Sequence, residues 1–213
     1  MLANFKQLAL ILFVCSLSQS AYGQDSIQSS PPLYFREDWM ESPAETPITQ
    51  QHVYNSELVM ELFGSGKDMI KKSHHDTPLD DPFYVWSGQC EGNWAVTLTK
   101  RNSLVDLTHG CVRWRTKNFD RILHVIVCLE DGSWLVSIRG TGETPDWNEF
   151  TFDLADTEWK KLDISTVSAT ENVVNPDLSR IRAIGFTDLE VGGQSASCSR
   201  LDWIEVYGRI VKH

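Results

Sequence analysis

From Leu33 onward the chain is cut into short runs rich in β-branched and aromatic residues, broken at close intervals by Gly, Pro, Asn and Asp. Thirteen runs read as strands: Leu33–Arg36, Glu57–Phe63, Asp68–Ser73, Phe83–Trp86, Trp94–Thr99, Leu104–Leu107, Cys111–Thr116, Ile122–Leu129, Ser133–Arg139, Glu149–Leu154, Trp159–Ile164, Ile181–Thr187 and Leu201–Tyr207. Helical periodicity is weak; Asn175–Ser179 is one place where a turn of helix or 3₁₀ could start. Glu37–Gln51, with Pro43 and Pro47, reads as loop. Many short strands with regular turn signals predict an all-β chain, an antiparallel β-sandwich of jelly-roll type. No internal repeat and no second domain is visible.

The last strand, Arg200-Leu-Asp-Trp-Ile-Glu-Val-Tyr-Gly208, alternates, with Leu201, Trp203, Glu205 and Tyr207 on one side and Asp202, Ile204 and Val206 on the other. Before it come Ile181-Arg-Ala-Ile-Gly-Phe-Thr187 and the Gly-rich stretch Gly192–Ser197. This "aIGF … lDwIeVyG" ending resembles the closing strands of galactose-binding-like jelly rolls, the fold of many carbohydrate-binding modules. It is also similar to the ending of the complex I assembly-factor domain. The resemblance spans residues 33–208 in pattern, and its specific part is the last two strands. It implies a binding module more than an enzyme, with one sheet face as ligand platform. In such modules carboxylates near the first and last strands often hold a structural calcium ion, which here would fall to Glu37, Asp38 and Asp202. The alternative for Asp202 is a pairing with Arg200 or Arg36.

Residues 1–23 read as a signal peptide: Lys6, then the apolar Leu8–Val14, then Ala21-Tyr-Gly23 with small residues at −3 and −1. Cleavage before Gln24 leaves a Ser/Gln/Pro-rich lead-in, residues 24–32, and one domain, residues 33–213. The apolar stretch is too short to span a bilayer and nothing else in the chain is a candidate span, so the expected location is secreted or periplasmic. The mature chain keeps 18 basic and 29 acidic residues, a net charge of −11. That balance argues against nucleic acid or an anionic membrane as partner. Oligomeric state is not legible.

One hairpin can be read in register. If Cys111–Thr116 and Ile122–Leu129 close symmetrically, Cys111 lies opposite Cys128, Arg113 opposite Ile126 and Arg115 opposite His124. Val112, Trp114, Leu123, Val125 and Val127 then form one apolar face, and Arg113, Arg115 and His124 share the other. The next strand would add Arg139 to the polar side and Trp134, Val136 and Ile138 to the core side. Clustered cations repel unless an anion lies across them, and Arg pairs with planar carboxylates, so this face is a candidate site for an acidic glycan. The alternative is an outer face neutralised by the protein's own acids, such as Asp106 or Glu149. The same register predicts a Cys111–Cys128 disulfide, and by elimination Cys90–Cys198. Buried free thiols are the other possibility.

A second candidate is the polar stretch from Lys71, Lys72, His74 and His75 to Trp86, which could bind sugar hydroxyls and stack a ring; the alternative is an ordinary exposed loop. Trp94, Trp134 and Trp203 read as core, whereas Trp39, Trp86, Trp147 and Trp159 are stacking candidates. No GxSxG, phosphate loop or zinc spacing occurs. The expected function is non-catalytic carbohydrate binding, with an acidic polysaccharide as the finer expectation. The alternative is a small secreted polysaccharide lyase or glycoside hydrolase, in which His124 with Arg113 and Arg115 would serve as base and neutralisers.

Overall fold

A computed structural model describes residues 30–190 and 197–212. The signal segment, nearly all of the lead-in and Gly192–Gly193 lie outside the described residues. Strands follow in chain order: β1 (Leu33–Glu37), β2 (Leu58–Phe63), β3 (Lys71–Ser73), β4 (Tyr84–Trp86), β5 (Ala95–Lys100), β6 (Leu104–Thr116), β7 (Leu123–Leu129), β8 (Trp134–Thr141), β9 (Asn148–Asp153), β10 (Trp159–Asp163), β11 (Ser168–Val174), β12 (Ile181–Thr187) and β13 (Arg200–Val211). The only helical pieces among the described residues are 3₁₀ turns at Gln50–His52 and Lys67–Met69. Asn175–Ser179 forms no helix.

Every pairing is antiparallel, and the strands form two layers. The back layer runs β2-β5-β12-β7-β8-β10-β11. The front layer runs β9-β6-β13-β4-β3, with β1 sharing the β4 edge of β13 through Phe35↔Val206. The layers join at one corner, where Ile181 of β12 pairs with Val105 of β6. This is an antiparallel β-sandwich, as the strand pattern predicts. Its core lies between Val112, Trp114, Ile204 and Val206 in front and Leu123, Val125, Ile184 and Phe186 behind. Burying a side chain such as Phe186 contributes about 1.5–3 kcal/mol.

The predicted hairpin does not form. β6 pairs with β9 and β13, and β7 pairs with β8 and β12, so the segment between them crosses from front layer to back. Cys111 lies beside Asp153 and Tyr207, while Cys128 lies beside Trp134 and Ala183. The Cys111–Cys128 bridge is therefore corrected, and the four cysteines among the described residues, Cys90 and Cys198 included, are free thiols. The grouping of Arg113 and Arg115 with His124 falls with it, because their strands belong to different layers. The reason is geometric: the apolar faces of β6 and β7 meet across the core rather than side by side, and both arrangements bury the same residues.

Two further differences have local causes. β13 carries a bulge, with Leu201 opposite Thr116 and Trp203 opposite Arg115, so Asp202 is the extra residue. Leu201, Ile204 and Val206 point into the core, whereas Trp203, Glu205 and Tyr207 face outward alongside Arg113 and Arg115. In β8, Leu135 faces the core, while Val136 packs with Ile126, Leu162, Ala95 and Val167 in a second apolar cluster that also takes Trp134. That cluster covers the outside of the back layer, so apolar character there does not mark the inner face.

Candidate functional site

The outer face of the front layer is polar, and strand alternation decides which side chains reach it. β6 presents Cys111, Arg113 and Arg115; β13 presents Trp203, Glu205 and Tyr207; β4 presents Tyr84 and Trp86; β3 presents Lys71 and Ser73. Arg36 joins from β1, opposite Glu205. Between β1, β13, β6 and the loops that carry Glu41, Tyr54 and Phe83 lies an open groove of about 540 Å³, within the usual size of a ligand site.

A ladder of ion pairs runs from the groove, where Arg36, Asp38, Arg115 and Asp202 lie, along the face beside it. Arg115 Nη1 donates to Asp202 Oδ2 at 2.6 Å. Arg36 forks between Asp38, with Nε–Oδ2 at 2.7 Å, and Glu205, with Nη1–Oε1 at 2.5 Å. Arg113 bridges Glu205 and Glu149, each at 3.3 Å. Tyr207 Oη completes the ladder on Glu205 Oε2 at 2.8 Å. Arg36 and Arg113 lie over Trp203, at 4.5 and 5.9 Å from the ring centroid, and Arg115 lies 5.5 Å from the Trp147 ring. Burial pushes the Asp202 carboxyl above the usual range, against the pull of Arg115, and the hydrogen bond to Asp38 raises Arg36 further. Tyr54 stands at the rim with 65% of its surface exposed, a large ring with a free face.

Glu37 shapes this rim from below. It points into the core and is fully buried. Its carboxylate accepts the amide N–H groups of Trp39 (2.8 Å), Tyr54 (2.7 Å) and Asn55 (2.9 Å). Glu37 is thus engaged with backbone amides on the inner side, while Asp38 and Asp202 pair with Arg36 and Arg115 on the outer side. The three residues do not fit a common calcium ion, and no cluster of three or more His, Cys, Asp or Glu among the described residues is arranged to hold a metal.

Of the other predicted site residues, Lys71, His75 and Trp86 meet in a smaller pocket of about 150 Å³ with Ser73, Tyr84 and Arg200. Lys72 points the opposite way and is fully buried. It donates to the Ser42 carbonyl and lies 4.2 Å from the Phe83 ring centroid, and burial lowers its pKa. His74 stacks on Phe83 at 4.1 Å. His124 sits in the back layer with Nδ1 2.9 Å from the Ser137 carbonyl, and burial pushes its pKa down. Arg139 is the one exposed residue of β8, in the back layer. The proposed base and neutralisers of a lyase thus stand on different layers. Trp39 and Trp159 are core, and Trp203, expected in the core, lines the groove at 8% exposure because the bulge fixes its outward side. Tyr54, Arg36, Phe83 and Arg200 were missed: Tyr54 lies in a polar loop with no pattern around it, and the others gain meaning only from strand pairing.

No protein-family model and no curated protein matches this chain. Among solved structures it is similar to a family 29 carbohydrate-binding module, a CBM29-2 mutant complexed with cellulohexaose. Identity there is 12%, covering 72% of this chain and 94% of that one, with a TM-score of 0.42. It is likewise similar to the family 11 module of Clostridium thermocellum in complex with a β-1,3-1,4-mixed-linked tetrasaccharide. Here identity is again 12%, covering 82% of this chain and all (100%) of the other, with a TM-score of 0.42. Among the described residues no helix is long and apolar enough to cross a membrane.

Proposed function

We propose that this chain is an exported, non-catalytic carbohydrate-binding module whose ligand lies in the front groove. The observation that carries this reading is the pairing of an exposed aromatic face, Tyr54, with a floor on which guanidinium and carboxylate alternate. A sugar hydroxyl both donates and accepts, so each ion pair offers it one partner of each kind. Charge-assisted hydrogen bonds of this sort are about twice as strong as neutral ones. The apolar C–H face of a pyranose suits the Tyr54 ring. The groove itself favours a neutral glycan. Two guanidinium groups, Arg36 and Arg115, line it with three carboxylates, Asp38, Glu41 and Asp202.

Calorimetric titration of the mature chain with neutral tetra- to hexasaccharides tests this. Tyr54→Ala is expected to weaken binding about tenfold or more, and Arg115→Ala by about 1–3 kcal/mol, the scale of a hydrogen bond to a charged group. The glycans should be recovered uncleaved. Wild-type affinity in both variants would remove the groove as the binding site, and released product would make the chain an enzyme.

A further inference from the structure

The smaller pocket between β3, β4 and β13 differs from the groove in one respect. Every arginine in the groove is ion-paired, but among the described residues neither Lys71 nor Arg200 has a carboxylate within ion-pair distance. Asp81, the acid beside this pocket, accepts from His75 through its backbone N–H (2.7 Å) and lies 2.9 Å from His75 Nδ1. Buried hydroxyls of Ser73 and Tyr84 face the same space, Tyr84 Oη lying 3.1 Å from His75 Nδ1, with Arg200 at the same wall. Trp86 supplies an apolar wall, with Lys71 Nζ 5.4 Å from its ring centroid. Two unpaired cations, two hydroxyls and a ring in about 150 Å³ suit one small oxyanion attached to a ring.

The pocket lies beside the groove on the same face. Arg200 and Asp202 are neighbours on β13, and Tyr84 meets Trp147 edge-on at 5.3 Å, with Trp147 under Arg115. A chain lying in the groove can extend past this aromatic wall into the pocket. We infer that the Lys71–Arg200 pocket is an anion subsite, taking the carboxylate or sulfate substituent of a glycan whose neutral part occupies the groove. This rests on the reading of the groove as a glycan platform, but the pocket can be tested alone.

The test is a titration of the labelled mature chain with glucuronate, inorganic sulfate and glucose, followed at the indole N–H resonance of Trp86 and assigned with Trp86→Phe. Glucuronate or sulfate should give a saturable shift and glucose none, and the tighter of the two identifies the substituent. Lys71→Gln combined with Arg200→Gln should weaken that binding tenfold or more, while neutral oligosaccharide binding stays at the wild-type value. A Trp86 resonance unmoved by both anions, or a shift that survives in the double variant, overturns the subsite. Neutral oligosaccharides that fail to bind while the anion shifts persist would count against the groove alone.

Discussion

Glu37 is the residue on which the groove's rim depends. A carboxylate at an inward position of β1 would be costly without partners, and the three amides of Trp39, Tyr54 and Asn55 supply them. Burial still pushes its pKa above the usual range. Trp39, the first of those donors, holds a left-handed backbone (φ 60°), which its bond to Glu37 helps to fix. Glu37→Gln turns one acceptor into a donor, so it should destabilise the fold by about 1–3 kcal/mol. It should also weaken glycan binding, because Tyr54 loses its anchor; thermal melts and the same titration check both. Asp188 gives the pH dependence. It is buried, accepts from Ser87, Ser199 and the Glu190 amide at 3.3–3.4 Å, and burial raises its pKa. A folded pKa above the unfolded one means stability that is present in acid and lost as pH rises through the raised value. Asp188→Asn should therefore raise Tm at pH 8 relative to the wild type, and the advantage should vanish below the usual carboxylate range. An advantage that grows toward acid would contradict this. At this scale little was legible: alternation can place Glu37 inward, but its partners Tyr54 and Asn55 lie far along the chain.

Strands were legible because their signal is local, and pairing was not because its signal is remote. Alternation located β1, β4, β7 and β12 to within a residue or two, and it split β6 at Thr108–Gly110, where the strand continues. β11, Ser-Ala-Thr-Glu-Asn-Val-Val, was missed because it is an edge strand, exposed along nearly its whole length with no buried face to mark it. The β6–β7 error was of another kind. Val112 and Trp114 belong with Leu123, Val125 and Val127 in one core, but facing across it, and a one-dimensional pattern is the same for neighbours and for opposite layers. The cysteines test this pairing. Non-reducing peptide mapping should find no Cys111–Cys128 peptide. Native alkylation at pH 8 should label half-buried Cys111 first and leave Cys90 unmodified, because burial pushes that thiol up to about 12. A linked Cys111–Cys128 peptide would overturn the layer assignment.

At the scale of the whole molecule the two outer faces are unlike. The back layer is capped by the apolar cluster around Ile126 and Val136, whereas the front layer is open and carries the ion-pair ladder, the groove and the Lys71–Arg200 pocket. The sandwich itself was legible in the turn spacing, and two residues of the polar front face, Arg113 and Arg115, in the alternation of β6. The rest of the platform comes from β1, β13 and two loops, which only the closed fold brings together. The most direct test is chemical-shift mapping of the labelled mature chain with neutral tetra- to hexasaccharides. The largest changes should fall on Arg36, Asp38, Tyr54, Phe83, Arg115, Asp202 and Trp203. Changes centred instead on Trp134, Lys161 and Leu162 of the back layer, or no saturable change at all, would contradict the account.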